Sequence, residues 1–104
     1  MFVVLYRWRL REGEGPRFRE AWRTMTEAIR SRHGSLGSRL HLAEDGTWIA
    51  YAGWPNRAAW EAAQASGSAA PEAGATMAGC IVERLPPVCM AIADDLLQGS
   101  ADGT

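Results

Sequence analysis

The sequence predicts one α+β domain in the order strand, helix, β-hairpin, helices, strand. Three observations carry this reading. FVVLYRWRL at 2–10 is rich in β-branched and aromatic residues, the composition of a strand. Phe18, Trp22, Met25 and Ile29 recur at spacings of four, three and four, which makes one apolar helical stripe. Asp45-Gly46 divides two alternating segments, a strong short-range hairpin signal.

Each element follows in turn. In the first strand Phe2, Val4, Tyr6 and Trp8 share one face, and Val3, Leu5, Arg7 and Arg9 the other. Gly13, Gly15 and Pro16 end it, and Pro16 suits the first turn of a helix over 16–32. Gly34 is the expected left-handed stop, and His33 just before it complements the helix dipole. Residues 37–54 form the hairpin, and a two-residue type I′ turn at Asp45-Gly46 sets its register. Leu42 then opposes Ile49, and Leu40 opposes Tyr51. Asn56 caps a second helix at 57–65, with Trp60 on its buried side. After the small-residue linker 66–70, Pro71 opens a further helix, 72–84, which Pro86-Pro87 ends. The last strand is expected from Val88 to Ala93, within a single domain at 1–98, and a disordered tail at 99–104.

Composition narrows the function. The chain has 104 residues, room for one core. Its formal charge is −1, with no excess of either sign to draw it to nucleic acid or an anionic membrane. All eleven basic residues are Arg, so lysine Schiff-base chemistry is excluded. No apolar run approaches the roughly 20 residues of a membrane span, and no signal-peptide pattern follows Met1. Cys80 and Cys89 fit neither a metal spacing nor a CxxC motif, and read as buried free thiols of a cytoplasmic protein. No metal cluster, Gly-rich phosphate loop or nucleophile elbow is present.

The element order is the ferredoxin-like βαββαβ arrangement, an antiparallel four-stranded sheet with helices on one face. In the register above, one hairpin face carries Leu40, Leu42, Ile49 and Tyr51. This apolar patch is too large to leave bare, so a homodimer packed through that sheet face is expected. The other face carries Arg39, His41, Trp48 and Trp54 among Gly and Ala, the mixture a lined pocket needs.

With these elements in place, the chain resembles the antibiotic biosynthesis monooxygenase family, dimeric α/β-barrel proteins of the ferredoxin-like class. The resemblance is carried by FVVLYRWRL with its Arg11-Glu12-Gly13 exit, by GSLGSRLHLAEDGTWIAYAGWPNRAAWEAA (34–63) and by ERLPPVCMAIADDLL (83–97). It implies oxidation of electron-rich aromatic substrates such as anthrones by O₂ without a cofactor, in a pocket between sheet and helices. It also implies that Trp54 and Trp60, six positions apart, line that pocket. Three positions depart from the pattern. Ala50 stands where monooxygenase-type members have Asn. Gln64 stands where haem-degrading members have His, and Tyr6 where those members have Asn. A haem role is therefore not expected.

The candidate chemistry rests on seven residues. Tyr6, Trp8, Trp48, Trp54 and Trp60 would hold an aromatic or quinone-like ring. His41 would act as general base, and Arg39, two residues away, would stabilise the anion formed. One alternative is a dimeric module that binds a small hydrophobic metabolite in the same pocket without chemistry, and another is a purely structural domain whose pocket its own tryptophans fill.

Overall fold

The β-branched and aromatic run at the start of the chain produces β1 (Phe2–Leu10), and the apolar stripe after it produces α1 (Gly15–His33). The hairpin follows as β2 (Gly37–Leu42) and β3 (Trp48–Trp54), then α2 (Arg57–Ala65), α3 (Pro71–Cys80) and β4 (Ile81–Ala91). This is a computed structural model, and it describes residues 1–98. The expected tail at 99–104 lies outside the described residues.

The four strands form one antiparallel sheet in the order β2-β3-β1-β4, the ferredoxin-like topology. Local signals set the helix ends. Gly34 adopts φ 70° and donates its N–H to the Arg30 carbonyl, which closes α1. The Asn56 side chain accepts from the Ala59 N–H at 2.8 Å and opens α2. The core lies between sheet and helices. Trp8, Phe18, Ala50 and Cys80 form one buried group, and Val4, Trp54 and Ala63 another. No described helix is long and apolar enough to cross a membrane.

The hairpin register differs from the expected one by a single residue. Leu42 pairs with Trp48, Leu40 with Ala50, and Arg39 with Tyr51. The cause is the turn. Gly46 donates to the Ala43 carbonyl (2.9 Å), Ala43 donates to the Thr47 carbonyl (2.8 Å), and Gly46 has φ 88°. The loop is therefore Glu44-Asp45-Gly46, with glycine in the left-handed position of a three-residue loop. Asp45 keeps a negative φ, so the expected two-residue turn does not form. Its carboxylate instead accepts from the Thr47 N–H at 2.9 Å.

A one-residue slip exchanges the faces of β2. Ser38, Leu40 and Leu42 join the helix-covered face with Trp48, Ala50, Ala52 and Trp54. His41 and Arg39 join the outer face with Ile49 and Tyr51. Leu40 and Leu42 thus do not belong to the proposed dimer patch. The outer face is continued instead by Val3 and Leu5 of β1 and by Val88 and Met90 of β4.

The C-terminal elements also differ from expectation. α3 stops at Cys80, and β4 begins at Ile81 and runs through Pro86-Pro87. Proline is tolerated there because β4 is an edge strand, and the register against β1 shifts between the Leu5 and Arg7 pairs. Arg7 spans the irregularity by donating from Nη2 to the Pro86 carbonyl at 3.2 Å. Cys80 is buried as expected, whereas Cys89 on this edge strand is exposed.

Candidate functional site

Two small side chains decide where the molecule holds space. Ala50 and Ala52 sit side by side on the helix-covered face of β3, with Trp54 at the strand's end. Tyr6 lies opposite Ala50, and Val4 opposite Ala52. The helices bridge over these short side chains without filling the gap. A cavity of about 300 Å³ results, within the range of small-molecule sites.

Its floor is formed by Tyr6, Trp8, Ala50, Ala52 and Trp54, with Ser38 from β2. The roof comes from the α1 stripe, Trp22, Met25 and Ile29, which His33 extends by one more turn. Gln64 of α2, the 67–69 linker, Met77 of α3 and Arg84 of β4 close the sides. Trp8 is held rigidly. It stacks on Tyr6 (6.0 Å between centroids, 9° between planes) and meets Phe18 edge-on (5.2 Å, 64°).

Tyr6 carries the best-defined polar geometry. Its phenol oxygen accepts from Trp60 Nε1–H at 2.9 Å, which leaves its own O–H free to donate. Burial pushes its pKa above the ordinary value of 10.0, against the pull of the Trp60 hydrogen bond. The phenol is therefore a neutral donor near neutral pH. At the other end of the floor, Trp54 is 3% exposed, and its Nε1 is buried with no partner among the described residues. The Ser38 hydroxyl is in the same condition.

Of the seven residues singled out from sequence, Tyr6, Trp8 and Trp54 line this cavity. Trp60 stands behind Tyr6, tilted against Phe2 at 5.7 Å. Trp48 lies in a separate groove of about 320 Å³ with Arg19, Trp22, Arg23, Leu40 and Leu42. There it packs on Phe18 (6.1 Å) and so close to Gly15 that a Cβ at that position would sit 3.2 Å from the indole. His41 and Arg39 are on the opposite side of the sheet. His41 is exposed, with Nδ1 3.3 Å from the Ile49 carbonyl. Neither can reach a molecule in the cavity, so the base and anion-stabilising roles do not fall to them.

Among the cavity residues not foreseen from the sequence are Ser38, His33 and Arg84. Ser38 is hidden by the turn length. His33 follows Ile29 by four residues and continues the stripe, a signal that its position beside Gly34 obscures. Arg84 reaches the cavity because β4 starts early and sets it beside Trp8. Tyr6, His33 and Arg84 are the titratable or charged side chains of the lining. No group of three or more His, Cys, Asp or Glu placed to hold a metal ion occurs among the described residues.

A ferredoxin-like sheet with an aromatic-walled cavity beneath its helices places the chain among the α+β proteins whose antiparallel sheet is covered by helices on one face. Comparison with known proteins narrows the class. The family model for antibiotic biosynthesis monooxygenase matches residues 1–79, and the chain belongs to that family. Among solved structures it is similar to Rv0793 from Mycobacterium tuberculosis, at 16% identity and TM-score 0.71, covering 92% of this chain and 98% of that one. It is also similar to SnoaB, a cofactor-independent oxygenase from Streptomyces nogalater, at 12% identity and TM-score 0.74, covering 91% and 95%. Protein Atu4242 from Agrobacterium tumefaciens gives 14% identity and TM-score 0.69, covering 89% and 94%. No curated protein matches this chain. At these identities the structural likenesses speak for the fold.

Proposed function

We propose that this protein oxidises a small aromatic or quinone-like molecule with O₂, without a cofactor, in the cavity between sheet and helices. The observation that carries the reading is the lining itself. Aromatic walls from Tyr6, Trp8, Trp22 and Trp54 surround about 300 Å³, and one imidazole, His33, faces the same space. Membership of the monooxygenase family supports the same chemistry.

The reaction runs through the substrate's own electrons. His33 takes a proton from an activated ring CH₂, and the phenolate-like anion that forms is held by the Arg84 guanidinium and the Tyr6 O–H. The anion passes one electron to O₂. Recombination of the two radicals forms the new C–O bond, and protonation gives a hydroperoxide. Loss of water across the C–H and O–O bonds leaves a ketone. The balance is CH₂ + O₂ → C=O + H₂O, and it uses no external reductant. The outer sheet face, where Ile49, Tyr51, Leu5 and Met90 lie beside Arg39 and His41, is covered in this reading by a second copy of the chain.

The test is oxygen uptake by metal-free protein with anthrone. Wild type exceeds the protein-free rate, His33→Gln loses about 10²-fold or more of the enhancement, and His41→Ala keeps it. Saturable binding of anthrone with no uptake would instead make the protein a binding module.

A further inference from the structure

We infer that the groove between α1 and the turn end of the hairpin is a second small-molecule site, and that it takes a flat aromatic carboxylate. It is separate from the cavity, and the inference stands apart from the oxygenase reading. The groove holds about 320 Å³, and its lining divides by chemistry. Trp22, Trp48, Leu40 and Leu42 are apolar, Arg19 and Arg23 are cationic, and no acidic residue is among the described lining. Trp22 also walls the cavity, so the two spaces share one indole.

The fold leaves the apolar half open. Leu42 pairs with Trp48 beside the turn, and Leu40 stands two residues earlier on the same face. That face is the helix-covered one, yet Leu42 stays 59% exposed. The Trp48 indole is held in place. Phe18 packs on it at 6.1 Å between ring centroids, and the bare backbone of Gly15 lies so close that an added Cβ would sit 3.2 Å from the ring. A fixed indole beside an uncovered leucine is apolar surface that gains by being covered, and a planar ring fits it.

The charged half calls for an anion. Arg19 and Arg23 are four residues apart on α1. Their Cβ atoms are thus about 5–6 Å apart, and like charges at this spacing destabilise the helix. Ion pairs form at Arg9–Glu83, Arg17–Glu14 and Arg57–Glu61, and neither Arg19 nor Arg23 has one among the described residues. An anion placed between the two guanidiniums offsets their repulsion. The spacing lets both reach one carboxylate, whose two oxygens match the planar fork of an arginine. A neutral ring would satisfy only the apolar half, and a free inorganic anion only the charged half. The ligand that satisfies both carries its carboxylate on an aromatic body.

The experiment titrates ¹⁵N-labelled protein with 2-naphthoate and with 2-naphthamide, and follows the indole N–H signals by NMR. The two compounds are alike in shape, and only the first is charged at neutral pH. Trp48 reports on the groove and Trp54 on the cavity, because each lines only one of the two spaces. At Trp48 the carboxylate should bind about tenfold tighter than the amide, or more, as expected of hydrogen bonds between charged groups. Raising the salt to about 0.5 M should shrink that preference, since exposed charges are screened. Arg19→Gln combined with Arg23→Gln should remove most of it, while Arg84→Gln in the cavity should leave it within about twofold. Equal affinity of the two compounds at Trp48, shifts at Trp54 with none at Trp48, or a preference that follows Arg84 and survives the double substitution would overturn the inference. A change of oligomeric state in the double variant would overturn it too, because a second copy of the chain would then be what fills the groove.

Discussion

The hydrogen bond between Trp60 and Tyr6 joins α2 to the central strand of the sheet at the edge of the cavity, and a double-mutant cycle measures it. Trp60 Nε1 donates to the phenol oxygen at 2.9 Å in a partly buried setting. Tyr6→Phe leaves the indole N–H without an acceptor, at a cost of about 1–3 kcal/mol. Trp60→Phe removes the donor but leaves the phenol facing the cavity, where it can find another partner. That loss is about 0.5–1.5 kcal/mol, plus the packing lost when an indole against Phe2 becomes a phenyl ring. The double variant removes both polar groups, and the packing terms cancel round the cycle. The coupling energy should be about 1 kcal/mol, which for a domain of this size is a shift of roughly 4–8 °C in Tm. The assay is urea unfolding followed by circular dichroism, with all four proteins at one concentration. Additive losses, with coupling below about 0.3 kcal/mol, would refute the claim that this bond ties α2 to the cavity floor.

Three further outcomes follow from the same structure. Burial raises the Tyr6 pKa in the folded state, so the unfolded chain ionises first. The contribution is complete below the unfolded value near 10 and falls as pH rises through the higher folded value. Alkaline unfolding curves should show this slope in wild type and a flatter one in Tyr6→Phe. Gly46 has φ 88°, and a Cβ added there would meet only open space, so Gly46→Ala should cost about 1–2 kcal/mol from backbone strain alone, read by thermal unfolding. Light scattering should find a dimer in wild type. Ile49→Arg on the outer face should shift it to monomer, whereas Leu42→Arg on the helix-covered face should leave it intact; a dimeric Ile49→Arg protein would rule out that face.

The parts of the fold that could be read from the sequence are those whose causes are local. The stop at Gly34 needs only a left-handed glycine and a carbonyl four residues back, and the Asn56 cap needs only its own side chain and the Ala59 N–H. β4 has a different kind of cause. Ile81 and Val82 continue the apolar pattern of α3, and Pro86-Pro87 looks like a terminator. The pair is tolerated because the strand lies at the sheet edge, where the shifted register spares the missing donors. That is a tertiary fact, and Arg84 reaches the cavity through it.

The candidate site turned on an even smaller difference, the length of one turn. Asp-Gly serves a two-residue turn if both residues take positive φ, and a three-residue loop if only glycine does. Here Asp45 is held at negative φ while its carboxylate accepts the Thr47 N–H, and Gly46 alone turns left-handed. Because side chains alternate along a strand, that choice sends His41 and Arg39 outward and turns Ser38 inward. β1 and β3 are unaffected, since their pairing does not depend on this turn, and Tyr6, Trp8 and Trp54 therefore face the cavity in either register. The aromatic walls are fixed by the central strands and the polar end by the edge strand. A change of one residue in the length of the Glu44-Asp45-Gly46 loop should thus exchange the faces of β2 while leaving the aromatic walls of the cavity in place.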